Sequence, residues 1–521
     1  MHTEYRKMHN LAQLVDSACG IHADKIAFRC LDQSITYAEL RRQSRCLAHW
    51  LQHRGGLEAG DRVAIQLPNL IHYPIAAFAA IEAGLVVVNT NPLYTPREMR
   101  HQFVDSGAKA IVTLGQLLPG LEEIIDQTSI STVILADATD PGDRQKTRKA
   151  QYVSLHKVIS AGTDLPPLAV SPARPRDIAL LQYTGGTTGV AKGASLSHSN
   201  ILHNTDQFLH AISDFARCRD NIFVCPLPLY HIYAFTVNMI GLFASGCTNL
   251  LIPNPRDLDS LVDQLRDVPF TGFSGLNTLF AGLCRHPGFR DLDFSHLRLT
   301  TSGGSALTSA AFESWQEVTG CTITEGYGLS ETSPVVTINV PGRERLGTVG
   351  RPLVDSEIQI WDKSDRPVAA GEEGQIVVRG PQVMSGYWGR AEETAEAISA
   401  DGFFRTGDVG VLLGDGSLKI VDRLKDMIIV SGFNVYPHEI EDVLSRHEKI
   451  IEAAVVGVAD SKTGEAVCAH IVCGGELGEQ EVIDHCREQL TGYKVPKKIV
   501  FHRELPKSSV GKILRRALRD N

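Results

Sequence analysis

A loop rich in glycine and threonine places the strongest constraint on this chain. Residues 183–193 read YTGGTTGVAKG and follow an apolar run, residues 178–181, that predicts a buried strand. Glycine allows positive φ angles and a close approach of ligand to backbone, and successive N–H groups in such a turn form a concave anion site. Lys192 adds a mobile positive charge. The segment therefore predicts a strand followed by a loop that holds polyphosphate.

This loop differs from the P-loop of many nucleoside triphosphatases, which closes on Gly-Lys-Ser/Thr. Val190 and Ala191 separate Gly189 from Lys192, and Gly193 stands where a magnesium-binding hydroxyl would be. A surface turn built of small residues is the alternative interpretation. The preceding strand, the threonines and the lysine together favour a phosphate site.

The same segment resembles the phosphate loop of the acyl-adenylate-forming superfamily. That superfamily includes acyl-CoA synthetases, nonribosomal peptide synthetase adenylation domains and beetle luciferases, and the loop is most similar to that of bacterial long-chain fatty acyl-CoA synthetases. The resemblance implies that the loop binds the phosphates of ATP. The implied contacts are Thr184, Gly185, Gly186, Thr187, Thr188, Gly189 and Lys192.

Charge and apolar patterning exclude several other classes of protein. The net charge of −9 argues against nucleic acid as a partner. The longest apolar region, residues 73–88, is interrupted by Glu82 and Gly84, so it predicts a helix running into a strand and is too short to span a bilayer. The first residues lack the apolar stretch of a signal peptide. We therefore expect a cytoplasmic protein.

Three properties stay open or rest on weaker signals. The eleven cysteines are scattered, without zinc-ligand spacing, so reduced thiols are expected. A lipid-like substrate would arrive from a membrane, which leaves open a peripheral contact at the inner membrane face. A homodimer is also left open.

Helical and strand patterns alternate through most of the chain. Residues 38–52 and 98–105 predict helices, and residues 62–67 and 110–112 predict strands. Apolar residues from Ile201 to Ile212 mark one face of a helix that Ser199 could cap. Such alternation predicts α/β layers with mostly parallel sheets. Residues 140–149 are charged and predict an exposed excursion.

The pattern of predicted secondary structure changes in the last third of the sequence. Short alternating runs with intervening glycines between residues 349 and 421 predict a small antiparallel barrel or sheet. A compact unit with strands near residues 453–456 and 468–473 and a helix near 481–490 follows. We expect two domains, 1–423 and 424–521. The resemblance implies a large N-terminal domain of two α/β sheets plus a small β-barrel, and a small mobile α+β C-terminal domain.

Two motifs in the middle of the chain concern the substrate and adenine. His231 follows the stiff segment PLPLY, and a lone histidine is more often structural; the resemblance makes it a substrate-positioning group and makes Phe235 a lining residue or gate of the acyl pocket. Small residues after a predicted strand at 297–299 would let a flat ring lie against the backbone. By resemblance Gly303, Gly304 and Ser305 form an adenine site.

Residues 325–331, EGYGLSE, form a more specific motif. Tyr327 offers a face for adenine stacking, and Glu331 offers a hard carboxylate oxygen of the kind Mg²⁺ prefers. The alternative for Glu331 is an acid at a helix N-terminus after a Ser330 cap. The resemblance implies that Glu331 holds magnesium with help from the Thr184 hydroxyl. It also implies nucleotide contacts from Glu325, Gly326, Tyr327, Gly328 and Ser330, where the family usually has threonine in place of Ser330.

Residues 404–408 and 422–426 carry the next two motifs. Asp408 follows a tight turn, and a carboxylate there can accept hydrogen bonds from both ribose hydroxyls. By resemblance Arg423 contacts the nucleotide and Lys425 is the hinge residue. Many members have glycine where this chain has Asp422, a departure shared with the fatty-acid branch.

The last two motifs lie in the C-terminal unit. Gly432 has no side chain, so the resemblance makes it part of a channel for the pantetheine arm of CoA. Lys512 lies in a basic tail but is flanked by Val510 and Ile513, so a simply solvated tail is a poor description. By resemblance this lysine enters the active site for adenylation.

Together the resemblances imply an AMP-forming fatty acid–CoA ligase. ATP would activate a long- or medium-chain fatty acid as acyl-AMP, CoA would accept the acyl group, Mg²⁺ would serve as cofactor, and Lys512, His231 and Glu331 would be catalytic. A ligase for aryl or other carboxylic acids, and an acyl-AMP ligase that delivers to a carrier protein, are the alternatives. An aminoacyl adenylation module, a luciferase-like oxygenase and a non-catalytic nucleotide sensor are less favoured, the last because Lys512 and Glu331 are both present.

Overall fold

Four β-sheets organise the protein. The computed structural model describes residues 5–137, 150–163, 173–184, 191–218, 220–508 and 511–519. The predicted excursion at 140–149 lies outside the described residues. Within the described part, the α-helices are α1 Leu11–Ile21, α2 Tyr37–His53, α3 His72–Glu82, α4 Pro96–Ser106, α5 Leu118–Glu122, α6 Leu155–Gly162, α7 His198–Ala211, α8 Ser213–Ala216, α9 Leu258–Leu265, α10 Asn277–Arg285, α11 Pro287–Arg290, α12 Ser309–Thr319, α13 Ala391–Ala397, α14 Pro437–Ser445, α15 Glu479–Gln489 and α16 Arg516–Arg519.

Short 3₁₀ turns and one π-helix complete the helical segments. The π-helix is Ala234–Leu242, and the 3₁₀ turns are Tyr5–Lys7, Gly115–Leu117, Ile125–Gln127, Ser330–Thr332 and Gly492–Lys494. The strands are β1 Ile26–Cys30, β2 Gln33–Thr36, β3 Arg62–Ile65, β4 Val86–Asn89, β5 Ala110–Thr113, β6 Thr132–Leu135, β7 Gln151–Ser154, β8 Ile178–Thr184, β9 Lys192–Ser197, β10 Ile222–Cys225, β11 Thr248–Leu251, β12 Gly272–Gly275, β13 Leu299–Ser302, β14 Ile323–Gly328, β15 Val335–Ile338, β16 Arg351–Pro352, β17 Glu357–Trp361, β18 Glu373–Arg379, β19 Phe404–Leu412, β20 Leu418–Arg423, β21 Ile428–Val430, β22 Phe433–Val435, β23 Ile450–Asp460, β24 Gly464–Cys473 and β25 Lys498–Phe501.

The two large sheets are mainly parallel, as the alternating pattern predicts. One has the order β7-β6-β5-β3-β4-β8-β9 and is parallel except at the β8–β9 hairpin. The other has the order β16-β15-β14-β13-β12-β10-β11-β1-β2, with antiparallel pairs only toward its two edges. The apolar helix α3 is buried along nearly its whole length, and its side chains belong to the core cluster that both sheets share. This common core fixes the relative position of the strand ends that form the site.

The remaining two sheets are small. Strands β17-β18-β19-β20 form an antiparallel sheet in the region predicted to be a barrel or sheet. The last sheet has the order β22-β21-β24-β23, with β25 parallel to β24. Helices α14 and α15 pack on one face of that sheet, and the tail packs on the other through Leu505 and Leu518. The change of sheet occurs between Arg423 and Ile428.

One predicted helix cap is wrong. The hydroxyl of Ser197, and not that of Ser199, accepts the N–H of Asn200 at 3.1 Å and caps α7. The reason is that β9 extends to Ser197, so the helix begins at His198, and Ser197 with Asn200 forms a reciprocal capping box. Among the described helices, none is both long and apolar enough to cross a membrane.

Candidate active site

A single cavity of about 470 Å³ brings most of the predicted site residues together. It lies where the β8–β9 hairpin, the ends of β13 and β14, the sheet of β17–β20 and the C-terminal tail meet. The predicted residues on its wall are Thr184, Lys192, His231, Gly303, Gly304, Gly326, Tyr327, Gly328, Ser330, Glu331, Asp408, Arg423, Lys425 and Lys512. Segments far apart in sequence, from residue 184 to residue 512, therefore share one site.

The other predicted site residues are not on this wall. Ser305, Glu325, Phe235 and Gly432 are described but do not line the cavity. The loop residues Gly185, Gly186, Thr187, Thr188 and Gly189 lie outside the described residues. Only the two ends of the predicted phosphate loop, Thr184 and Lys192, are therefore placed.

The hairpin holds these two ends side by side. Thr184 and Lys192 are partners in the antiparallel register of β8 and β9. The Lys192 ammonium lies 5.3 Å from the centroid of the Tyr387 ring, a cation–π distance. Thr184 and Lys192, the predicted loop contacts that the structure describes, therefore both lie on the cavity wall.

Three glycines shape the wall expected to hold adenine. A Cβ on Gly303 would lie 3.3 Å from the carbonyl oxygen of Gly326, and a Cβ on Gly326 would lie 3.0 Å from the carbonyl oxygen of Thr337. At Gly328 a Cβ would lie 1.9 Å from the Pro334 carbonyl oxygen, so only glycine fits there. The absence of side chains leaves backbone as the surface, which suits a flat ring.

Glu331 presents a buried carboxylate to the cavity. Its side chain accepts a hydrogen bond of 2.9 Å from the Tyr387 hydroxyl, and the residue is only 8% exposed. Burial raises the pKa of this carboxyl above its ordinary value. The alternative role as a helix-terminal acid after a Ser330 cap is wrong, because the segment is a single 3₁₀ turn preceded by Leu329.

Asp408 is already engaged by two neighbours. It accepts a hydrogen bond of 2.7 Å from the Tyr327 hydroxyl and lies 3.2 Å from the Arg423 guanidinium. Asp408 and Arg423 are also partners in the register of β19 and β20. These contacts fix the orientation of the carboxylate that is expected to hold ribose.

The C-terminal tail brings Lys512 to the cavity. Burial, followed by the nearby charge of Arg423, lowers the pKa of Lys512 to about 8, and burial with Arg423 has the same effect on Lys425. The tail touches the larger domain where the Thr278 hydroxyl donates to the Gly511 carbonyl at 3.2 Å and the Arg256 guanidinium donates to the Ser508 carbonyl at 3.0 Å. The cations crowd one another, as is expected where an anionic ligand binds.

Arg515 is a residue of this region that sequence reasoning missed. Its guanidinium lies 2.6 Å from Glu441, 3.4 Å from Asp426 and 3.6 Å from Asp422. Asp422 also accepts the backbone N–H of His438, in the first turn of α14, at 2.9 Å. Arg515 therefore ties the tail to acids before and after Lys425 in the chain. The clustered charges of the tail carried no signal of this because the partners are distant in sequence.

His231 is held as a neutral ring. Burial and then the charge of Lys512 lower its pKa to about 4. Its Nδ1 atom accepts the backbone N–H of Tyr233 at 3.3 Å. A neutral ring that accepts through Nδ1 carries its hydrogen on Nε2, which can then donate to a ligand in the cavity.

Apolar side chains form the rest of the cavity wall. They include Phe208, Leu227, Ile232, Val237 and Leu276. Phe235, which is predicted to line or gate the acyl pocket, does not line this cavity: its side chain is 1% exposed and packs in the core cluster that contains these residues. It lies in the π-helix Ala234–Leu242, from which Val237 reaches the cavity wall.

Two predicted residues lie away from the wall. Glu325 is in β14, and burial raises the pKa of its carboxyl to about 8, while its carbonyl accepts the N–H of Asn339 at 2.9 Å. Gly432 lies in the exposed β21–β22 turn with a φ of +85°. Beside it the ring of Phe433 stacks on Tyr493 with 4.9 Å between centroids. Gly432 is thus placed outside the cavity that Lys512 enters.

Known proteins share both the sequence and the fold. Residues 15–388 match the family model described as AMP-binding enzyme, and residues 439–512 match that of the AMP-binding enzyme C-terminal domain. A long-chain-fatty-acid–CoA ligase of Salmonella typhimurium is 44% identical, over 99% of this chain and 95% of its own. One of Bacillus subtilis is 38% identical, over 97% and 93%. The crystal structure of an anthranilate CoA ligase with anthranoyl-AMP has a TM-score of 0.90 and 25% identity, and covers 98% of this chain and 97% of its own.

Proposed function

Because the chain belongs to the AMP-binding enzyme family, we propose that it is an AMP-forming fatty acid–CoA ligase. It uses ATP to convert a fatty acid to acyl-AMP and then transfers the acyl group to CoA. The observation that carries the proposal is the cavity itself. The same space is lined by the cations Lys192, Arg423 and Lys512 and by an apolar wall. It therefore suits a polyanion together with an apolar acyl chain.

The substrate class rests on the relatives. Two relatives that align over nearly their whole length are named long-chain-fatty-acid–CoA ligases. The neighbour solved with an aryl adenylate is less similar in sequence, at 25% identity. Fatty acids are therefore the first candidates, and aryl acids are the second.

The first chemical step joins two anions. A carboxylate oxygen of the fatty acid attacks the α-phosphorus of ATP, the bond from that phosphorus to the bridging oxygen breaks, and pyrophosphate leaves with the bonding pair. Catalysis of such a step consists mainly of alignment and neutralisation of charge. Lys512 and Arg423 supply positive charge on one wall, and Lys192 supplies it at the end of the phosphate loop.

The second step releases AMP. The sulfur of CoA, as a thiolate, attacks the acyl carbonyl, and the bond from that carbon to the phosphate oxygen breaks. AMP is a better leaving group than oxide ion, which would have to leave from a free acid, because the charge on the AMP phosphate is delocalised.

We propose that neutral His231 positions the carboxylate of the fatty acid through its Nε2 hydrogen and adds no further charge to the cavity.

The residues present fit a magnesium ion carried by ATP. Glu331 offers a buried carboxylate whose Oε1 accepts from Tyr387, and Thr184 offers a hydroxyl on the same cavity. Mg²⁺ commonly takes only one or two protein oxygens together with phosphate oxygens and water. We propose Glu331 and Thr184 as its protein ligands. When bound, the ion would neutralise the charge on the phosphates.

Several finer assignments complete the proposal. Gly303, Gly326 and Tyr327 would contact adenine, and Asp408 would contact ribose. The change of sheet after Arg423 supports a division into domains 1–423 and 424–521, with Lys425 as the hinge. Gly432 would border the CoA channel after that hinge turns.

Pyrophosphate exchange over a panel of acids tests this function. We expect ATP–pyrophosphate exchange to depend on saturated fatty acids, to vary with their chain length and to exceed the exchange with benzoate or anthranilate. Addition of CoA should release AMP and yield the thioester. Exchange with aryl acids alone would show that aryl acids, and not fatty acids, are the substrate class. Exchange without any thioester in the presence of CoA would indicate delivery to another acceptor.

A further inference from the structure

Tyr387 contacts two charged groups of the cavity with one side chain. Its hydroxyl donates a hydrogen bond of 2.9 Å to Oε1 of Glu331, and its ring lies 5.3 Å below the ammonium of Lys192. The residue itself lines the cavity. Glu331 comes from the turn after β14, whereas Lys192 begins β9, so Tyr387 links two separate elements.

The backbone around Tyr387 is fixed against the hairpin. Tyr387 forms an antiparallel bridge with Ala194 in β9. The N–H of Ser195 donates to the Gly386 carbonyl at 2.9 Å, and the N–H of Trp388 donates to the Gly193 carbonyl at 2.8 Å. The Tyr387 N–H itself donates to the Thr394 hydroxyl at 2.9 Å. The ring is therefore set in place by the strand that carries Lys192.

These contacts engage both charges without cancelling either of them. A phenol that donates to a carboxylate leaves it negative, and a ring face beneath an ammonium leaves it positive. A direct ion pair between Glu331 and Lys192 would neutralise both groups before ATP arrives. The Tyr387 hydroxyl takes Oε1 of Glu331 and does not occupy its second oxygen.

We propose that Tyr387 is a positioning residue that keeps Glu331 and Lys192 as two separate charges, the first for the cation and the second for the phosphates of ATP. This inference rests on the proposed function. It predicts that loss of the hydroxyl weakens the binding of magnesium-bound nucleotide and spares a nucleotide that needs no cation. It also predicts that loss of the ring adds a second defect at Lys192.

Calorimetric titration of the full chain measures both effects. The probes are a non-hydrolysable ATP analogue with a methylene group between the α- and β-phosphates, with and without Mg²⁺, and AMP without Mg²⁺. Tyr387→Phe keeps the ring and Tyr387→Leu removes it. Tyr436→Phe is the matched control, because its hydroxyl also donates to a carboxylate, Oε2 of Glu373 at 2.8 Å, and Tyr436 does not line the cavity.

For Tyr387→Phe we expect the gain in analogue affinity on adding Mg²⁺ to fall roughly tenfold, the scale for one hydrogen bond to a charged group. The affinity for AMP should stay the same, and Tyr436→Phe should leave the affinities for the analogue and for AMP unchanged. Tyr387→Leu should also weaken the analogue without Mg²⁺. An unchanged Mg²⁺ gain in Tyr387→Phe, or an equal loss for AMP, would overturn the positioning role. If the native chain showed no Mg²⁺ gain at all, the proposed ATP site would be overturned together with this inference.

Discussion

The two sides of the cavity are built by different physical means. The larger domain supplies Gly303, Tyr327 and Glu331 from strand ends and tight turns that backbone hydrogen bonds and packing hold in place. The smaller domain supplies Lys512 from a tail whose attachments include the ion pairs Lys507–Glu452 at 2.6 Å and Arg515–Glu441 at 2.6 Å. Among the described residues, the hydrogen bonds that join that tail to the larger domain include Thr278 to Gly511 and Arg256 to Ser508.

This difference separates binding from conformational control. A wall fixed by packing can be preorganised for ATP, whereas a tail joined to the larger domain by hydrogen bonds such as these can leave the cavity without disturbing the core. Substitutions in the wall should therefore change affinity and chemistry together. Substitutions of residues that hold the tail but do not line the cavity should change only the step for which Lys512 is in the cavity.

The largest effect is expected from the wall. Glu331→Gln keeps the shape of the side chain but removes the charge that a hard cation requires, so pyrophosphate exchange should fall by roughly two orders of magnitude. Glu325→Gln is the control, because this neighbouring acid is half-buried and does not line the cavity. Near-normal exchange with an unchanged Mg²⁺ dependence in Glu331→Gln would reject the ligand assignment.

The contribution of Lys512 should be visible in the pH dependence of adenylation. The pKa of Lys512 is lowered to about 8, so the amine is a cation below that pH and neutral above it. The kcat/KM for adenylation should therefore fall about tenfold per pH unit above 8. Lys512→Arg should remove this basic limb even if its rate is lower, because arginine stays charged.

Lys425 provides the control for that profile, since its pKa is also lowered to about 8. Lys425→Arg should leave the basic limb in place. If Lys425→Arg abolished the limb and Lys512→Arg did not, the titrating group would be the hinge lysine.

A smaller effect is expected behind the tail. Asp422→Asn weakens the contact to Arg515 but leaves every cavity residue in place, so adenylation should fall roughly fivefold, about 1 kcal/mol. Asp422 lies before the proposed hinge and Arg515 lies after it, so their contact should be lost when the hinge turns, and thioester formation from supplied acyl-AMP should not change. Asp426→Asn is the control on the far side of Lys425. Asp426 and Arg515 lie on the same side of the proposed hinge, so this variant should affect both steps. Equal losses in both steps for Asp422→Asn would assign it a purely structural role.

The smallest effect concerns the acyl wall. Val237→Ala enlarges the apolar part of the cavity and should shift the ranking of fatty acids by about threefold in favour of longer or bulkier chains. Phe235→Ala should instead lower the free energy of unfolding by ~3–5 kcal/mol and reduce activity toward all acids alike. A changed ranking in Phe235→Ala with unchanged stability would restore Phe235 as the gate.

Much of the site could be predicted because its residues belong to short motifs that are local in sequence. Residues that must be small or charged at a strand end, such as Gly328 and Glu331, leave a signal within a few positions. The same holds for α2, found at Tyr37–His53 where residues 38–52 were predicted helical.

The residues that sequence missed depend on long-range contacts or irregular helices. Tyr387 is brought to the cavity by pairing of its segment with Ala194 and its neighbours in β9, nearly two hundred residues away, and no local pattern marks it. Arg515 could be seen as part of a basic tail, but not as the partner of Asp422 and Glu441. The role of Phe235 was carried over from the family resemblance, and no local pattern indicated that Val237 of the same π-helix would line the cavity.

Single-turnover kinetics of the two half-reactions tests the central claim, that wall and tail serve different steps. Lys512→Ala should lower acyl-AMP formation at least a hundredfold while thioester formation from supplied acyl-AMP stays near normal. Gly432→Leu should do the reverse, with Gly432→Ala as the control that imposes the same strain at a φ of +85° but adds a smaller side chain. Lys507→Ala, in the same tail, should leave adenylation within a few-fold of normal. Equal losses in both half-reactions for both Lys512→Ala and Gly432→Leu would contradict the account.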